Sequence, residues 1–403
     1  MLLKGLKVVE LATWIAAPAC AMIMGEWGAD VIKVESAAGD AVRAFYPDTE
    51  ESPGNPIYSM ENRGKRGVVL DITQPAGREA MVALMKAADV FVTNMRPGPL
   101  KRARLDYASI KDEAPHLVYA SVTGFGLEGE DIDAAAFDMT AFWNRSGAAA
   151  AFNPPHLEPL PSRPAFGDHL TGVTTLSGVL AALYERTRTG KGQLVEASLL
   201  RTGVYALAWD MSCHLRYGET QTAGRKEDRP LAMTGYFRTA DQRWIFTLAK
   251  SPICLPTLLK AIGRGDLADH PRYAYPIMEI ERVRELRAVI EDWYAVTTLE
   301  AAGELLTAND LAWAPLASLD EVVSDPQAWA AGCFVDTPDG WGGGFAAPAS
   351  PLRFPGAEMA PPKAAPRLGE HTRQVLAEAG YGEAAIEAML AAGAAVQGEA
   401  SIA

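Results

Sequence analysis

Short apolar runs alternate with longer helical patterns through the first third of the chain. Lys7-Val-Val-Glu-Leu11, Asp30-Val-Ile-Lys-Val-Glu35 and Gly67-Val-Val-Leu-Asp-Ile72 are short, rich in β-branched residues and bounded by turn residues, so each reads as a strand. Ala88-Asp-Val-Phe-Val-Thr93 and His116-Leu-Val-Tyr-Ala-Ser-Val122 continue the series. Helical patterns lie between them, over Pro18 to Trp27 and Pro75 to Ala88, with proline near the first turn. Strands alternating with helices predict a parallel sheet covered on both faces.

Residues 126–165 carry Gly, Asp and Pro in quantity and read as irregular. A helical run follows over about 168–187, then a strand at Gln193–Ala197 and an apolar helix from Ser198 to about Tyr217. The polar stretch 218–230 reads as a linker. Beyond it a hairpin, Tyr236–Arg238 and Trp244–Leu248, precedes helical patterns to about residue 310. Trp313 to Asp320 shows no helical period, and Pro315 would break a helix, so it reads as an extended return segment. Glu383 to Ala392 predicts a last helix ended by Gly393. The expected fold class is therefore α/β: a Rossmann-like parallel-sheet large domain at 1–217, a linker at 218–230, a smaller α+β domain at 231–325, and a return segment at 326–403 that completes the large domain.

In such sheets ligands bind beyond the carboxyl ends of the strands. Ala12 to Ala17, Ser36 to Arg43, Asn94 to Arg96 and Thr123 to Gly126 occupy those positions. Composition narrows the ligand. The 403 residues carry a net charge of −13, a poor general surface for nucleic acid or anionic membrane. Yet Asn94-Met-Arg96-Pro-Gly-Pro-Leu-Lys101-Arg102-Ala-Arg104 holds four basic residues and no acid, which suits a phosphate-bearing ligand, and Lys65-Arg66 adds a second basic pair. Cys20, Cys213, Cys254 and Cys333 are dispersed, and no signal-peptide core or membrane-length apolar run is seen, so a reduced cytoplasmic setting is expected. No histidine has a second ligand at metal spacing, and no metal is expected.

Gly124-Phe-Gly126-Leu-Glu-Gly129 matches a dinucleotide fingerprint in letters. The acidic run after it, Glu130 to Asp138, stands where a pyrophosphate would sit, so the segment reads as a turn over a site. Arg163-Pro-Ala-Phe-Gly-Asp168-His-Leu-Thr-Gly172 ends a Pro-rich loop and opens a helix. Asp168 there is either a plain helix cap or a carboxylate able to attack an acyl carbon. Phe137-Asp138 offers a second carboxylate, and His169 reads as a wall or capping residue, since helical neighbours diverge. His371, in Leu368-Gly-Glu-His371-Thr, reads as structural.

Together these stretches resemble the class III CoA-transferases, the formyl-CoA transferase and carnitine CoA-transferase superfamily. The likeness runs nearly end to end, through Gly5 to Leu11, Gly28 to Glu35 with Gly39-Asp40, Asn62 to Asp71, Asp89 to Asn94, Phe137-Asp138, Gly167-Asp168 and Arg188 to Gln193. The resemblance implies that Asp168 is the nucleophile of a ping-pong transfer through an aspartyl anhydride. It implies acyl-CoA and carboxylic acid substrates, with CoA a substrate rather than a permanently bound cofactor. CoA contacts would fall on Ile15, Ala16, Leu70, Asp71, Ile72, Thr73, Asn94, Met95, Arg96, Arg102, Phe137 and Asp138. Members form interlocked homodimers. Ser36 stands where some members carry a phosphate-binding arginine, and residues 218–230 lack their glycine-rich lid. The alternative within the superfamily is an acyl-CoA racemase. Racemases use a histidine where this chain has Phe137, and proton exchange needs two positioned groups. The stretches around Phe137 and Gly167 look most like the cinnamoyl-CoA:phenyllactate branch, with Trp14, Phe137, Phe142 and Trp143 expected as aromatic walls.

Overall fold

The computed structural model describes residues 1–45, 54–154, 157–218, 231–273, 279–359 and 361–399. The chain divides into two compact units, one of Met1–Asn153, Glu158–Thr220 and Trp329–Ala403, the other of Pro154–Leu157 and Gln221–Ala328.

The first unit is built on strands β1 (Lys7–Leu11), β2 (Asp30–Glu35), β3 (Arg66–Leu70), β4 (Val90–Thr93), β5 (Val118–Thr123) and β6 (Leu194–Ser198). The second holds β7 (Gly235–Arg238), β8 (Trp244–Leu248) and β9 (Ala312–Pro315). The chain then returns through the hairpin β10 (Phe334–Pro338) and β11 (Gly344–Pro348) to β12 (Ala395–Val396). The large sheet runs β12-β3-β2-β1-β4-β5-β6, parallel throughout except for β12. Strand order reverses between β1 and β4, where Val8 lies opposite Val90. Their following loops diverge there and leave a cleft at the carboxyl ends.

Alternation along each strand feeds two cores. Val8, Val90 and Val118 face one side with Met24, Trp27 and Val179, while Val9, Phe91 and Tyr119 face the other with Met81, Leu84 and Leu376. Because helices cover both faces, the strands are apolar on both. The longest helix, Phe166–Thr189, packs on Ala16–Glu26. A Cβ at Gly172 would lie 2.8 Å from the Ala16 carbonyl oxygen, so glycine sets this close approach.

Three segments differ from expectation. The run from Ser198 is two helices, Leu199–Ala206 and Ala208–Tyr217, turning at Leu207. The segment expected to be irregular contains a π-helix, Asp138–Arg145, and a short helix, Ala148–Phe152. Buried Ala141, Phe142 and Trp143 anchor that π-helix against Leu199 and Leu207. Trp313 is extended as expected, but it belongs to β9 and pairs with β8, a sheet bond no local pattern announces. Of the expected linker 218–230, all but Gly218 lies outside the described residues.

The second unit is an antiparallel sheet, β7-β8-β9, with helices Cys254–Ala261, Ile280–Ala295 and Leu299–Ala308. Phe237 stacks on Tyr294 at 4.9 Å within its own core of Leu258, Leu286, Ile290 and Leu306. Among the described residues no helix is long and apolar enough to cross a membrane.

Candidate functional site

The loop after β1 forms the floor of the cleft, and two side chains hold it. Asn94, just past β4, accepts a hydrogen bond from the Thr13 N–H at 3.0 Å and donates to the Thr13 carbonyl at 2.6 Å. Asp40 accepts from the Trp14 N–H at 3.1 Å. Trp14 sits at φ +65°, a left-handed conformation uncommon for a bulky residue, and this contact holds it there.

Asp40 is in turn one end of a buried charge network. Lys33 Nζ donates to Asp40 Oδ2 at 2.9 Å and to Glu10 Oε1 at 2.8 Å. Lys65 Nζ donates to Glu10 Oε2 at 2.6 Å and to Asn62 Oδ1 at 2.9 Å. Neither lysine nor Glu10 nor Asp40 exposes its side chain. Burial pulls Lys65 down to about 8, against the opposing pull of Glu10. Lys33 faces the same burial, yet Glu10 and Asp40 outweigh it and its pKa rises. Lys65 and Arg66 were expected to serve a phosphate. Lys65 is instead enclosed, and Arg66 is committed to Asp30 at 2.6 Å and Glu378 at 2.7 Å. Both therefore act within the fold.

Asp168 lies in the first turn of the Phe166–Thr189 helix. Ala165, at φ +64°, occupies the cap position, and no side chain caps the helix, so Asp168 is not a plain cap. Its carboxyl is pushed up to about 7, first by burial, then by the neighbouring Asp138 and Glu61, while His169 opposes the shift. Asp138, buried at the start of the π-helix, is raised too, chiefly by burial, against the pull of the Gly167 and Ala165 amides. No side chain fits at position 167. A Cβ there would lie 2.1 Å from Phe142 Cγ and 2.3 Å from Asp138 Oδ1.

His169 is more than a wall. Its Nε2 lies 2.7 Å from Glu61 Oε1. Burial lowers the His169 pKa, but the bond and charge of Glu61 outweigh it and the net shift is upward. Glu61, on the helix Pro56–Asn62, is 1% exposed, and its Oε2 has no hydrogen-bond partner.

Asp168, His169, Glu61 and Asp138 share the wall of one cavity of about 1090 Å³. Of the expected contact residues, Ile15, Ala16, Asn94, Met95, Arg96, Phe137 and Asp138 line it. Leu70, Asp71, Ile72, Thr73 and Arg102 do not. Leu70 is in the core, and Asp71 turns the chain by accepting from the Thr73 N–H at 3.0 Å and the Gln74 side chain at 3.0 Å. Arg102 is exposed in the last turn of the helix Pro97–Ala103. Trp14 and Phe137 line the cavity and meet edge to face at 5.5 Å. Phe142 and Trp143 do not line it; they are 1% and 9% exposed and form the packing behind Gly167.

Sequence reading missed Glu61, which stands 108 residues from its partner His169, and no spacing rule joins them. It also missed Phe45 and the β11 residues Phe345 to Pro348, which close the wall from the far end of the chain. Among the described residues no group of His, Cys, Asp and Glu could hold a metal ion.

Comparison with known proteins places the chain as a whole. The model of CoA-transferase family III matches residues 3–372. The (R)-2-hydroxy-4-methylpentanoate CoA-transferase of Clostridioides difficile is 34% identical over 95% of this chain and 96% of its own. The cinnamoyl-CoA:phenyllactate CoA-transferase of Clostridium sporogenes is 30% identical over 95% of each. The crystal structure of a CAIB/BAIF family protein from Brucella suis superposes with a TM-score of 0.80 at 30% identity, over 94% of this chain and 99% of that one.

Proposed function

The chain belongs to CoA-transferase family III, and from that premise we propose that it moves CoA from an acyl-CoA to a free carboxylic acid with Asp168 as nucleophile. One observation carries the reading. A half-buried carboxyl group faces a large cavity from a helix start, with its pKa raised to about 7. The raised value makes the ionised oxygen more basic, and a more basic carboxylate is a better nucleophile toward a thioester.

The ionised Asp168 oxygen attacks the thioester carbonyl carbon. The C–S bond breaks, the CoA thiolate leaves with the electron pair, and a mixed anhydride remains. The thiolate then attacks the Asp168 carbonyl of that anhydride, releasing the donor acid and leaving an Asp168–CoA thioester. The acceptor carboxylate attacks this thioester, forming a second anhydride. CoA thiolate attacks its acyl carbon, and Asp168 is regenerated ionised. Each tetrahedral oxyanion is stabilised by backbone N–H groups, which have no intrahelical partner at a helix start.

In this reading the pantetheine end of CoA lies along Ile15, Ala16, Asn94, Met95, Arg96, Phe137 and Asp138. Asp71, Ile72, Thr73 and Arg102, outside the cavity, hold the nucleotide end, and Leu70, buried in the core, positions the turn that carries the first three. The apolar lining of Trp14, Phe45, Ile57, Met60 and Phe137 supports an acyl group with an aromatic or branched body. CoA enters as substrate, with no permanently bound cofactor.

The assembly proposed is an interlocked homodimer. The helix Ala208–Tyr217 buries none of its residues in this chain and leaves Trp209, Leu215 and Tyr217, spread around it, more than three-quarters exposed, apolar surface that a second copy would cover. The four cysteines are free, in keeping with a cytoplasmic enzyme.

The test is CoA exchange between an acyl-CoA and an isotopically labelled free acid. Asp168→Ala is expected to lower exchange by roughly 1,000-fold or more, as loss of a covalent nucleophile does. Retained exchange would remove Asp168 from the chemistry.

A further inference from the structure

The residues assigned to the nucleotide end of CoA lie on two separate segments, Asp71 to Thr73 and Arg102, and Arg78 joins them. Arg78 stands in the first turn of the helix Pro75–Ala87, directly after the first of those segments. Its N–H donates to the Gln74 carbonyl at 3.0 Å, and a Cβ at Gly77 would lie 2.2 Å from the Asp71 carbonyl oxygen, so the turn packs on this helix start. From there the Arg78 side chain reaches the end of another helix, Pro97–Ala103. Its Nε donates to the Ala103 carbonyl at 2.6 Å and its Nη2 to the Arg104 carbonyl at 3.3 Å. The last carbonyls of a helix have no intrahelical partner, and a cation suits them. Arg104 itself is left-handed at φ +53°, a conformation uncommon for a residue with a side chain, and this bond holds it.

The other end of that helix is held as well. The Gly98 N–H donates to Asp133 Oδ1 at 2.7 Å, and Arg96 Nη1 donates to the Asp133 carbonyl at 3.2 Å. A helix of seven residues does not hold itself together in water. An acid at its start and a base at its end fix it from outside, and with it the last turn that carries Lys101 and Arg102. We infer that Arg78 is a positioning residue for CoA, setting Arg102 beside the Asp71–Thr73 turn so that both segments grip the nucleotide end together. The inference rests on the acyl-CoA reading of the neighbouring cavity. Arginine suits this task because its planar fork serves two successive carbonyls from one side chain. The gap between the turn and the helix end is the length of that side chain, which brings both within reach of one ligand end. Both Arg78 bonds go to main-chain carbonyls, so its effect on a ligand passes through Arg102.

The experiment measures CoA binding by titration calorimetry and acyl-CoA exchange kinetics for wild type, Arg78→Met, Arg102→Ala and the double variant. Arg78→Met is expected to weaken CoA binding and raise KM for acyl-CoA, each about five- to tenfold, with kcat unchanged. Added to Arg102→Ala, it is expected to cost less than about twofold more, because the residue it positions is already gone. Arg78→Lys, which keeps the charge and one bond, is expected to fall between wild type and Arg78→Met, and it carries the same comparison should the methionine variant fail to fold. Unchanged CoA binding in Arg78→Met would overturn the inference. So would a fall in kcat without a rise in KM, which would mark Arg78 as a structural residue, and so would effects of the two substitutions that multiply in full, which would show Arg78 acting alone. A wild type that neither binds CoA nor exchanges it would instead overturn the proposed function, and this inference with it.

Discussion

Two clusters of charge lie close to the same cleft and behave in opposite ways. Glu10, Lys33, Asp40 and Lys65 pair two acids with two bases, all unexposed and bonded at 2.9 Å or less. Around Asp168 three carboxyl groups face one imidazole, and Glu61 Oε2 and the two Asp138 oxygens make no hydrogen bond. The first cluster is saturated, so it has one geometry and holds it. The second is short of donors and positive charge, so Asp168 keeps its proton up to about 7. The frame also hands its geometry to the site, since Asp40 bonds both Lys33 and the Trp14 N–H.

Breaking the frame tests this contrast hardest. Lys33→Met leaves Glu10 and Asp40 buried with an acceptor each unpaired. Removing one partner of a buried ion pair is expected to cost about 3–5 kcal/mol, read from urea unfolding at pH 7. A loss below about 1 kcal/mol would show that the frame is as loosely tied as a surface pair, and the contrast would fail.

Neutralising the site tests it in the opposite sense. The folded pKa of Asp168 is raised to about 7, so its ionised form is disfavoured in the fold. Between its unfolded value and about 7 the folded state holds the proton that the unfolded state releases, and this group's contribution to stability falls as pH rises. Asp168→Asn removes that penalty. The variant is expected to be more stable than wild type by on the order of 2 kcal/mol at pH 8, discounted for partial exposure, with the difference shrinking toward pH 4. Wild-type kcat/KM is expected to fall as pH drops below about 7, because the protonated acid cannot attack. Thermal unfolding of the pair at the two pH values, beside a pH–rate profile, reads both. A destabilised variant at pH 8 would place Asp168 in the frame class.

The same contrast explains what was legible in the chain. Strands β1 to β5 announce themselves as apolar runs because the sheet is buried on both faces, and the structure keeps each within about two residues of expectation. The cleft position follows from strand order, and Asn94, Ile15 and Asp168 come together there. Pairings across the chain left no such trace. Lys65 looked like a phosphate ligand because its partner Glu10 is 55 residues away and hidden in a strand. Glu61 and His169 carry no motif between them. Phe142 and Trp143 looked like pocket walls because composition counts aromatic rings without saying which side they face. The π-helix turns them behind Gly167, a position where any Cβ would strike Phe142. Periodicity reports burial along one element; it is silent on contacts between elements.

The smallest effect is expected at the rim, where a charge meets solvent. Arg102 is exposed, so it belongs to neither buried cluster. Its assigned role, a grip on the nucleotide phosphates of CoA, needs only a charge-assisted contact at a place where water competes. Exposure lowers what that contact can contribute, to about 1.4 kcal/mol, near the low end for bonds to charged groups. Arg102→Ala should then raise KM for acyl-CoA about tenfold and leave kcat nearly unchanged, since the lost contact is made equally before and during the chemistry. Screening offers an independent reading. Raised salt should weaken wild type toward the variant and narrow the gap between them, because an exposed charge acts through solvent. An Arg102→Ala protein with unchanged KM but a large fall in kcat would tie this exposed residue to the reacting centre, and burial would no longer separate charges that build the fold from charges that meet the substrate.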